Sequence, residues 1–178
     1  MENRLIAVRL SAQQLSDPRF DDPRALVRWM GAVQAQDYKA VRWAVGIRLR
    51  TASLRAVDRA LERGEILRTH VMRPTWHLVA AEDIRWMLRL SARRIRSANS
   101  SLARSRGLGI DDGMYSRSNR LIEKMLRGNL CLTKRQIADR FQAAGIAADT
   151  HFMTRYLMRA EADGIVCSGP DRAGQFTY

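Results

Sequence analysis

The chain has 178 residues, of which 46% are apolar and 28% are charged, a composition typical of a folded globular protein and not of a disordered one. No apolar run approaches the roughly 20 residues that a membrane-spanning helix needs, and the N-terminal segment has no cleavage site of a secretory signal. We therefore expect a cytoplasmic protein that does not enter a membrane.

The charge of the chain favours an anionic partner. Lysine and arginine total 31 against 18 acidic residues, which gives a formal net charge of +13. Such an excess attracts a polyanion, and nucleic acid is the commonest one, although a membrane surface or an acidic protein is an alternative. Only three of the cations are lysines, and a G+C-rich gene would produce the same preference for arginine. The sign of the charge therefore informs on function, whereas the choice of arginine does not.

The first half of the chain has the element order of a winged helix. The predicted elements are a helix that begins at Asp21-Asp22-Pro23, a helix over 41–49, a helix from Ser53 to Gly64, and a hairpin of strands 66–72 and 75–80. Ser53 is a favourable helix cap, and Gly64 suits the left-handed end of a helix. Runs of β-branched and aromatic residues flank the turn at Arg73-Pro74.

The second half repeats this order. Its predicted elements are a long helix over 82–106, a helix over 114–127, a helix from Thr133 to Gly145, a helix from Thr150 to Gly164, and strands 165–167 and 175–178. The predicted fold class is mainly α with short β-hairpins, built as tandem winged helix-turn-helix units. We expect residues 1–81 to form the first unit, which carries the glutamine motif, 82–130 the connecting helices and 131–178 the second unit, and we expect that unit to be truncated in or after its wing. No low-complexity linker separates the halves, so we expect them to pack together.

The second unit presents the clearest candidates for DNA contact. In a helix-turn-helix the second helix enters the major groove, and its outward side chains meet bases and phosphates. The candidate DNA-binding residues are Lys134, Arg135, His151, Thr154, Arg155, Arg159 and Arg172. The alternative is a solvated basic face on a module that contacts only protein.

The long helix adds a stripe of arginines. Arg85, Arg89, Arg93 and Arg96 share one face by helical spacing. They are suited to a phosphate backbone, where each released counterion adds salt dependence, and equally to carboxylates elsewhere in a longer protein.

Two separated motifs resemble those of a known family. The segment Val33-Gln34-Ala35-Gln36-Asp37 and the hairpin Arg68–Val79 together resemble the AlkZ/YcaQ-like winged-helix DNA glycosylase family. The resemblance runs on to the C-terminal Gly174–Tyr178 and so covers essentially the whole chain. Members of that family are considerably longer, with a third winged helix and a C-terminal β-barrel, which indicates that this chain is a fragment or a shortened relative.

The resemblance implies a function and a site. It implies binding of double-stranded DNA and excision of alkylated or crosslinked bases without a metal or a cofactor. Gln34 and Gln36 match the catalytic pair of the family. Asp37, Thr69, His70 and His77 are implied as supporting neighbours, and Arg73 as a phosphate contact.

The chemistry of the residues allows that role under one condition. In an extended segment the side chains of Gln34 and Gln36 point the same way, whereas in a helix they would diverge by about 200°. Two amide oxygens on one side can orient a water molecule and offer partial negative charge to the sugar. The alternative is that Gln34, Gln36 and Asp37 only cap a helix end.

Other functions stay open at this point. A non-catalytic DNA-binding protein, such as a transcription regulator, and a scaffold that binds proteins are the alternatives. Cys131 and Cys167 belong to no CxxC or Cys/His pair, so we expect free buried thiols and no zinc site. Association with the nucleoid follows from DNA binding, and the sequence does not indicate an oligomeric state.

Overall fold

A computed structural model describes the chain over residues 2–172 and 174–178, with side chains from residue 4 onward. Within these residues lie eight helices and three strands, which confirms the predicted fold class. The helices are α1 (Glu2–Ala12), α2 (Pro23–Met30), α3 (Tyr38–Gly46), α4 (Leu54–Glu62), α5 (Ile84–Ser105), α6 (Asp112–Leu126), α7 (Lys134–Ala143) and α8 (Thr150–Ala162). The strands are β1 (Ala32–Gln34), β2 (Ile66–Val71) and β3 (Thr75–Ala80).

The first winged-helix unit contains a three-stranded antiparallel sheet. Its elements follow each other as α2, β1, α3, α4, β2 and β3, and the strand order in the sheet is β1-β3-β2. The central strand β3 pairs with β2 through the predicted hairpin and with β1 from much earlier in the chain. Strand β1 was not predicted, because three residues are too few to show an alternating pattern.

Side chains close to the helix starts explain where the helices of this unit begin. The Ser53 hydroxyl accepts a hydrogen bond from the Ala56 N–H at 3.1 Å and caps α4, as predicted. Helix α3 begins at Tyr38, earlier than predicted, because the Asp37 carboxylate caps it. Apolar side chains of α2, α3 and α4 pack against one face of the sheet. This core contains Leu26, Val27, Ala35, Val41, Val45, Leu49, Val57, Ala60, Ile66 and Leu78.

The second unit is built from α6, α7 and α8. Helix α7 starts with a capping box, in which Thr133 and Gln136 bind each other's backbone N–H groups. The core of the unit contains the large side chains of Tyr115, Ile122, Phe141 and Tyr156, all of them fully buried.

The wing of the second unit differs from the prediction. No strand forms at 165–167 or 175–178 in the described residues; isolated bridges join Thr133 to Thr177 and Arg172 to Gln175. The N–H of Gly169 donates to the Thr177 carbonyl at 2.9 Å, and Pro170 after it lacks an N–H for a longer ladder. The predicted strand pair is therefore an irregular loop closed by single bridges.

The two units share a continuous interface. Helix α8 packs along α5, where Ile95 meets Met158 and Ala162 in a small apolar cluster. Strand β2 is an edge of the sheet, and its free edge faces the second unit. There the Arg68 N–H donates to Ser168 Oγ at 2.8 Å, and the His70 N–H donates to Glu161 Oε2 at 3.2 Å.

Across residues 2–172 and 174–178, each helix is either too short or too polar to cross a bilayer.

We expect the α5–α8 contact to contribute strongly to stability. Ile95 is 0% exposed, so Ile95→Ala should lower the free energy of unfolding by about 2–5 kcal/mol through lost burial and a cavity. Leu90 on the same helix is 78% exposed, and Leu90→Ala should change it by less than about 0.5 kcal/mol. Chemical denaturation of both variants measures this. Equal losses of stability in the two variants would contradict a stabilising contact between α5 and α8 at Ile95.

Candidate functional site

Gln34 and Gln36 lie at one edge of the first sheet. Gln34 is the last residue of β1 and stands opposite His77 of β3. Both glutamines are exposed, whereas Ala35 between them is 0% exposed. Burial that alternates from residue to residue is typical of an extended chain, whose successive side chains point to opposite sides. The two glutamines therefore share the solvent side, which is the condition that their proposed pairing requires.

The backbone of Ala35 is held from two directions. Its N–H donates to the Trp76 carbonyl at 2.7 Å. Its carbonyl accepts two hydrogen bonds from the Arg68 guanidinium, from Nε at 3.1 Å and from Nη2 at 2.9 Å. These bonds fix the residue between the glutamines, and so they limit the movement of both.

The two amides are in different states. Gln36 Oε1 accepts a hydrogen bond from the Trp76 N–H at 3.1 Å, which fixes the orientation of its side chain and leaves one lone pair of the oxygen. The side-chain amide of Gln34 makes no hydrogen bond with any of the described residues. Gln36 is thus anchored, while the amide of Gln34 is free to bind a ligand or water.

Asp37 acts as a helix cap. Its Oδ1 accepts a hydrogen bond from the Ala40 N–H at 3.0 Å, at the start of α3. A carboxylate that satisfies a helix start contributes to the local structure. This agrees with the capping alternative for Asp37 but does not extend to the two glutamines, which precede the helix.

His77 lies beside Gln34 as a neutral imidazole. Its Nδ1 is 2.9 Å from the Thr75 carbonyl, and because a carbonyl only accepts, Nδ1 carries the proton. Burial lowers the pKa of His77, and the nearby His70 and Arg73 lower it further against the opposing effect of the Thr75 bond. The neutral ring leaves Nε2 as a hydrogen-bond acceptor on the residue that pairs with Gln34 in the sheet.

Thr69 and His70 have separate surroundings. Thr69 stands opposite His77 in the sheet, so Gln34, His77 and Thr69 form one row across the three strands. Thr69 is fully buried at the far end of that row. His70 points to the opposite face, stacks on Trp76 at 3.9 Å between ring centres, and bonds Glu161 of α8 through Nδ1. The structure thus brings His77 to the glutamine pair, whereas His70 contacts the second unit.

Arg73 is exposed in the turn between β2 and β3. Its side chain has no ion pair among the described residues, so its charge is available to an anion at the tip of the hairpin.

Helix α8, which was predicted to enter the major groove, is largely buried. It is covered by α5, α6 and β2, and its buried residues run from Met153 to Ala162. Only Thr150 and His151 at its start are exposed. Arg159 forms ion pairs with Asp112 at 3.3 Å and Asp163 at 2.8 Å, so its charge is neutralised inside the protein.

Several predicted DNA-binding residues do come together at the start of α7 and α8. Lys134 Nζ donates to Thr154 Oγ1 at 2.8 Å. Burial lowers the pKa of Lys134, and the charge of the nearby Arg155 lowers it further. His151 Nδ1 lies 2.6 Å from Arg106 Nη1. This cluster belongs to the second unit, as do the exposed Arg135 and Arg172, whereas the glutamine pair belongs to the first.

Comparison with known proteins places the chain in a family. Residues 27–178 match a family described as DNA glycosylase AlkZ-like. The chain belongs to the AlkZ-like DNA glycosylase family. A similar solved structure, Streptomyces sahachiroi DNA glycosylase AlkZ, has a TM-score of 0.73 and 21% sequence identity, and the match covers 95% of this chain and 46% of that one. This chain thus spans less than half the length of that relative. No curated protein matches it.

This AlkZ-like chain has two exposed arginines on α4 that are not among the predicted DNA-binding residues. Arg55 and Arg59 lie one turn apart on the outer side of the helix, away from the buried Val57 and Ala60. Neither has an ion pair in the part of the chain that the structure describes. Helix α4 occupies in the first unit the place of α8 in the second. Arg55 and Arg59 have the same four-residue spacing as Arg155 and Arg159, so this sequence pattern could have identified them too.

The arginines of α5 border a groove of about 690 Å³. Arg85, Arg89 and Arg96 line one wall, and residues 162–167 line the other. Arg96 pairs with Asp163 at 3.2 Å, whereas Arg85 and Arg89 have no carboxylate partner among the described residues. Part of the predicted stripe is therefore neutralised and part is free.

Two further observations concern metals and thiols. Among the described residues, no group of three or more His, Cys, Asp or Glu side chains is placed to hold a metal ion. Cys131 and Cys167 are free thiols as predicted, but both are half-buried and not fully buried.

We expect His77 to make the stability of this AlkZ-like chain depend on pH. Since burial lowers its folded-state pKa below the usual value near 6.5, the unfolded chain binds the proton more readily. The free energy of unfolding should therefore fall as the pH falls from about 7 through 6.5 towards the folded-state value. His77→Gln removes this contribution, so its stability should fall less over that range. Thermal melts across the pH series measure it, and identical curves for variant and wild type would contradict the assignment.

Proposed function

We propose that this chain binds double-stranded DNA and carries the hydrolytic site of a DNA glycosylase that excises alkylated or crosslinked bases. One observation supports this most: two amides lie exposed on an extended segment, beside a neutral histidine, in a chain of the AlkZ-like family. A DNA partner would place the protein at the nucleoid.

The reaction suits a site without a strong acid. A glycosylase breaks the bond between C1′ of the deoxyribose and a nitrogen of the base. Alkylation at purine N7 gives the base a positive charge, so the base takes the bonding electrons and leaves as a neutral molecule. Positive charge then develops on the sugar, and a water molecule adds to C1′ and loses a proton to the solvent. The protein has to orient that water and stabilise the developing charge.

Three polar groups fit these tasks, two on the edge segment that contains β1 and one on the adjacent central strand β3. The free Gln34 amide oxygen and the Nε2 of His77 both accept hydrogen bonds, so together they orient a water molecule that donates to both. The anchored Gln36 oxygen keeps one lone pair for the sugar or for the same water. We assign Gln34 and Gln36 as the catalytic residues and His77 as their supporting neighbour.

The surplus charge provides the contact with the duplex. Ion pairs in the described residues engage few of the 31 cations. The paired arginines are Arg24, Arg28, Arg42, Arg50, Arg63, Arg96, Arg127 and Arg159. Because α8 is buried along most of its length, we propose that α4 of the first unit lies against the DNA with Arg55 and Arg59. Lys134, Arg135 and His151 then contact phosphates from the second unit, and Arg73 does so from the hairpin.

The glutamine assignment is tested by base release. Purified chain is incubated with duplex DNA that contains N7-alkylated guanine, and the free base is quantified. Gln34→Ala and Gln36→Ala should each lower the single-turnover rate on the order of 100-fold, the usual effect of losing one such polar group. Gln142→Ala on α7 is the matched control, since this glutamine is exposed in the second unit, and it should keep the wild-type rate.

Two outcomes of that assay would change the proposal. Full activity in both glutamine variants would show that the pair is not the hydrolytic site. Salt-sensitive DNA binding by the wild type without base release would favour a non-catalytic DNA-binding protein.

The DNA surface is tested by salt dependence of binding. The double variant Arg55→Ala/Arg59→Ala should bind duplex more weakly, and the slope of log affinity against log salt should decrease by about 2, one for each lost phosphate contact. Arg127→Ala, whose charge is shared with Glu123 at 3.7 Å, is the control and should leave the slope unchanged. An unchanged slope in the α4 variant, with a reduced slope in Lys134→Ala/Arg135→Ala, would move the contact surface to the second unit.

A further inference from the structure

Arg68 is a buried cation in an aromatic enclosure. Arg68 is only 8% exposed. Its guanidinium carbon lies 4.4 Å from the ring centre of Trp76, 4.8 Å from that of Phe176 and 5.5 Å from that of Tyr38. Tyr38 and Phe176 also contact each other edge to face, with ring centres 4.7 Å apart. These rings come from three places in the sequence: the start of α3, strand β3 and the C-terminal segment.

The enclosure selects a guanidinium. No carboxylate lies within ion-pair distance of Arg68 among the described residues, so its burial is compensated by the ring faces and by hydrogen bonds to the Ala35 carbonyl. A guanidinium can stack on a ring and donate two parallel bonds at once, which an ammonium cannot do. The residue type is thus specified by the site.

The bonds from Arg68 determine how the glutamine segment leaves the sheet. In an antiparallel pair, residues that bond each other exchange two N–H to carbonyl bonds. Ala35 and Trp76 share only one, from the Ala35 N–H, because the Ala35 carbonyl is bound by Arg68. The Trp76 N–H is left to donate to Gln36 Oε1. The anchoring of Gln36 is therefore a consequence of the position of Arg68.

We propose that Arg68 is a positioning residue for Gln34 and Gln36, and that through Phe176 it makes their geometry depend on the C-terminal segment of the second unit. This inference rests on the proposed hydrolytic role of the pair. Arg68 is largely buried within the aromatic enclosure, so in this proposal it acts through Ala35 and Gln36.

The test separates the rate of base release from DNA binding. Arg68→Lys keeps the charge but loses the paired bonds and the stacking. Its single-turnover rate should fall about 100-fold, the cost of a displacement of roughly 1 Å at a reacting group, while the Kd for duplex DNA stays within twofold of wild type. A merely destabilised protein would lose rate and binding together.

A second variant and a control keep the test decisive. Phe176→Leu removes one wall of the enclosure at a half-exposed position and should fold normally, with a smaller loss of rate, on the order of 10-fold. Arg48→Lys is the matched control, since Arg48 also donates to a backbone carbonyl, that of Ala44 at 2.7 Å, in the same unit but away from the glutamines. It should retain the wild-type rate.

Hydrogen exchange gives a readout that does not depend on catalysis. In Arg68→Lys and Phe176→Leu the amides of Ala35 and Trp76 should exchange faster than in wild type, whereas the rest of β3 should not. Wild-type rates and unchanged exchange in both variants would overturn the inference, and if Arg68→Lys does not fold, Phe176→Leu decides alone. Failure of the proposed function looks different, because the wild type itself would then release no base or Gln34→Ala would remain fully active.

Discussion

The structure depends on how the free edge of strand β2 is satisfied. An edge strand presents unpaired N–H groups, which are costly when buried without a partner. Here the partners come from the second unit: Ser168 Oγ accepts from Arg68, and the Glu161 carboxylate accepts from His70. The second unit thus completes the sheet of the first. Glu161 lies on α8 and is fully buried, so α8 must pack against the sheet to bring it there.

Because α8 has to pack against the sheet, the two winged-helix units take different roles. Helix α8 completes a neighbouring sheet and packs along α5, so only its first residues, Thr150 and His151, stay exposed to a partner. The charge of Arg159 on α8 is neutralised within the protein, because it pairs with Asp163, which also pairs with Arg96 of α5. Among the described residues, cations without an ion pair lie on α4, on α5, in the turn between β2 and β3 and at the start of α7. The basic surplus is therefore distributed by the packing of the units, and the second unit serves partly as a support for the first.

Sequence patterns predicted the elements that are set locally. The caps at Ser53 and Thr133 were predicted correctly because an N-cap bond is made within three residues. Strand β1 and the burial of α8 depend on partners far away in the chain, and no local pattern reports them. On α8 the arginines Arg155 and Arg159 lie close in sequence to the apolar Met158 and Ala162. That pattern is typical of an exposed amphipathic helix with a basic face, but here Ile95 of α5 covers the apolar side. Similarly, Arg68 was part of a recognised motif, but its enclosure requires Phe176 from the last residues of the chain.

The chemistry of the site follows from what surrounds the glutamines, if they hydrolyse a glycosidic bond. The carboxylate of Asp37 caps α3, and His77 is held neutral by burial, so among the described residues the pair has neither a free anion nor a ready acid beside it. Amide dipoles stabilise developing positive charge less than a carboxylate does, and they cannot protonate a leaving base. Such a site would be effective only on bases that already carry a positive charge. The lesion would then supply the activation, and the protein would supply a fixed geometry. This would explain why the protein buries the Arg68 guanidinium, at a cost in desolvation, to hold the Ala35 carbonyl in place.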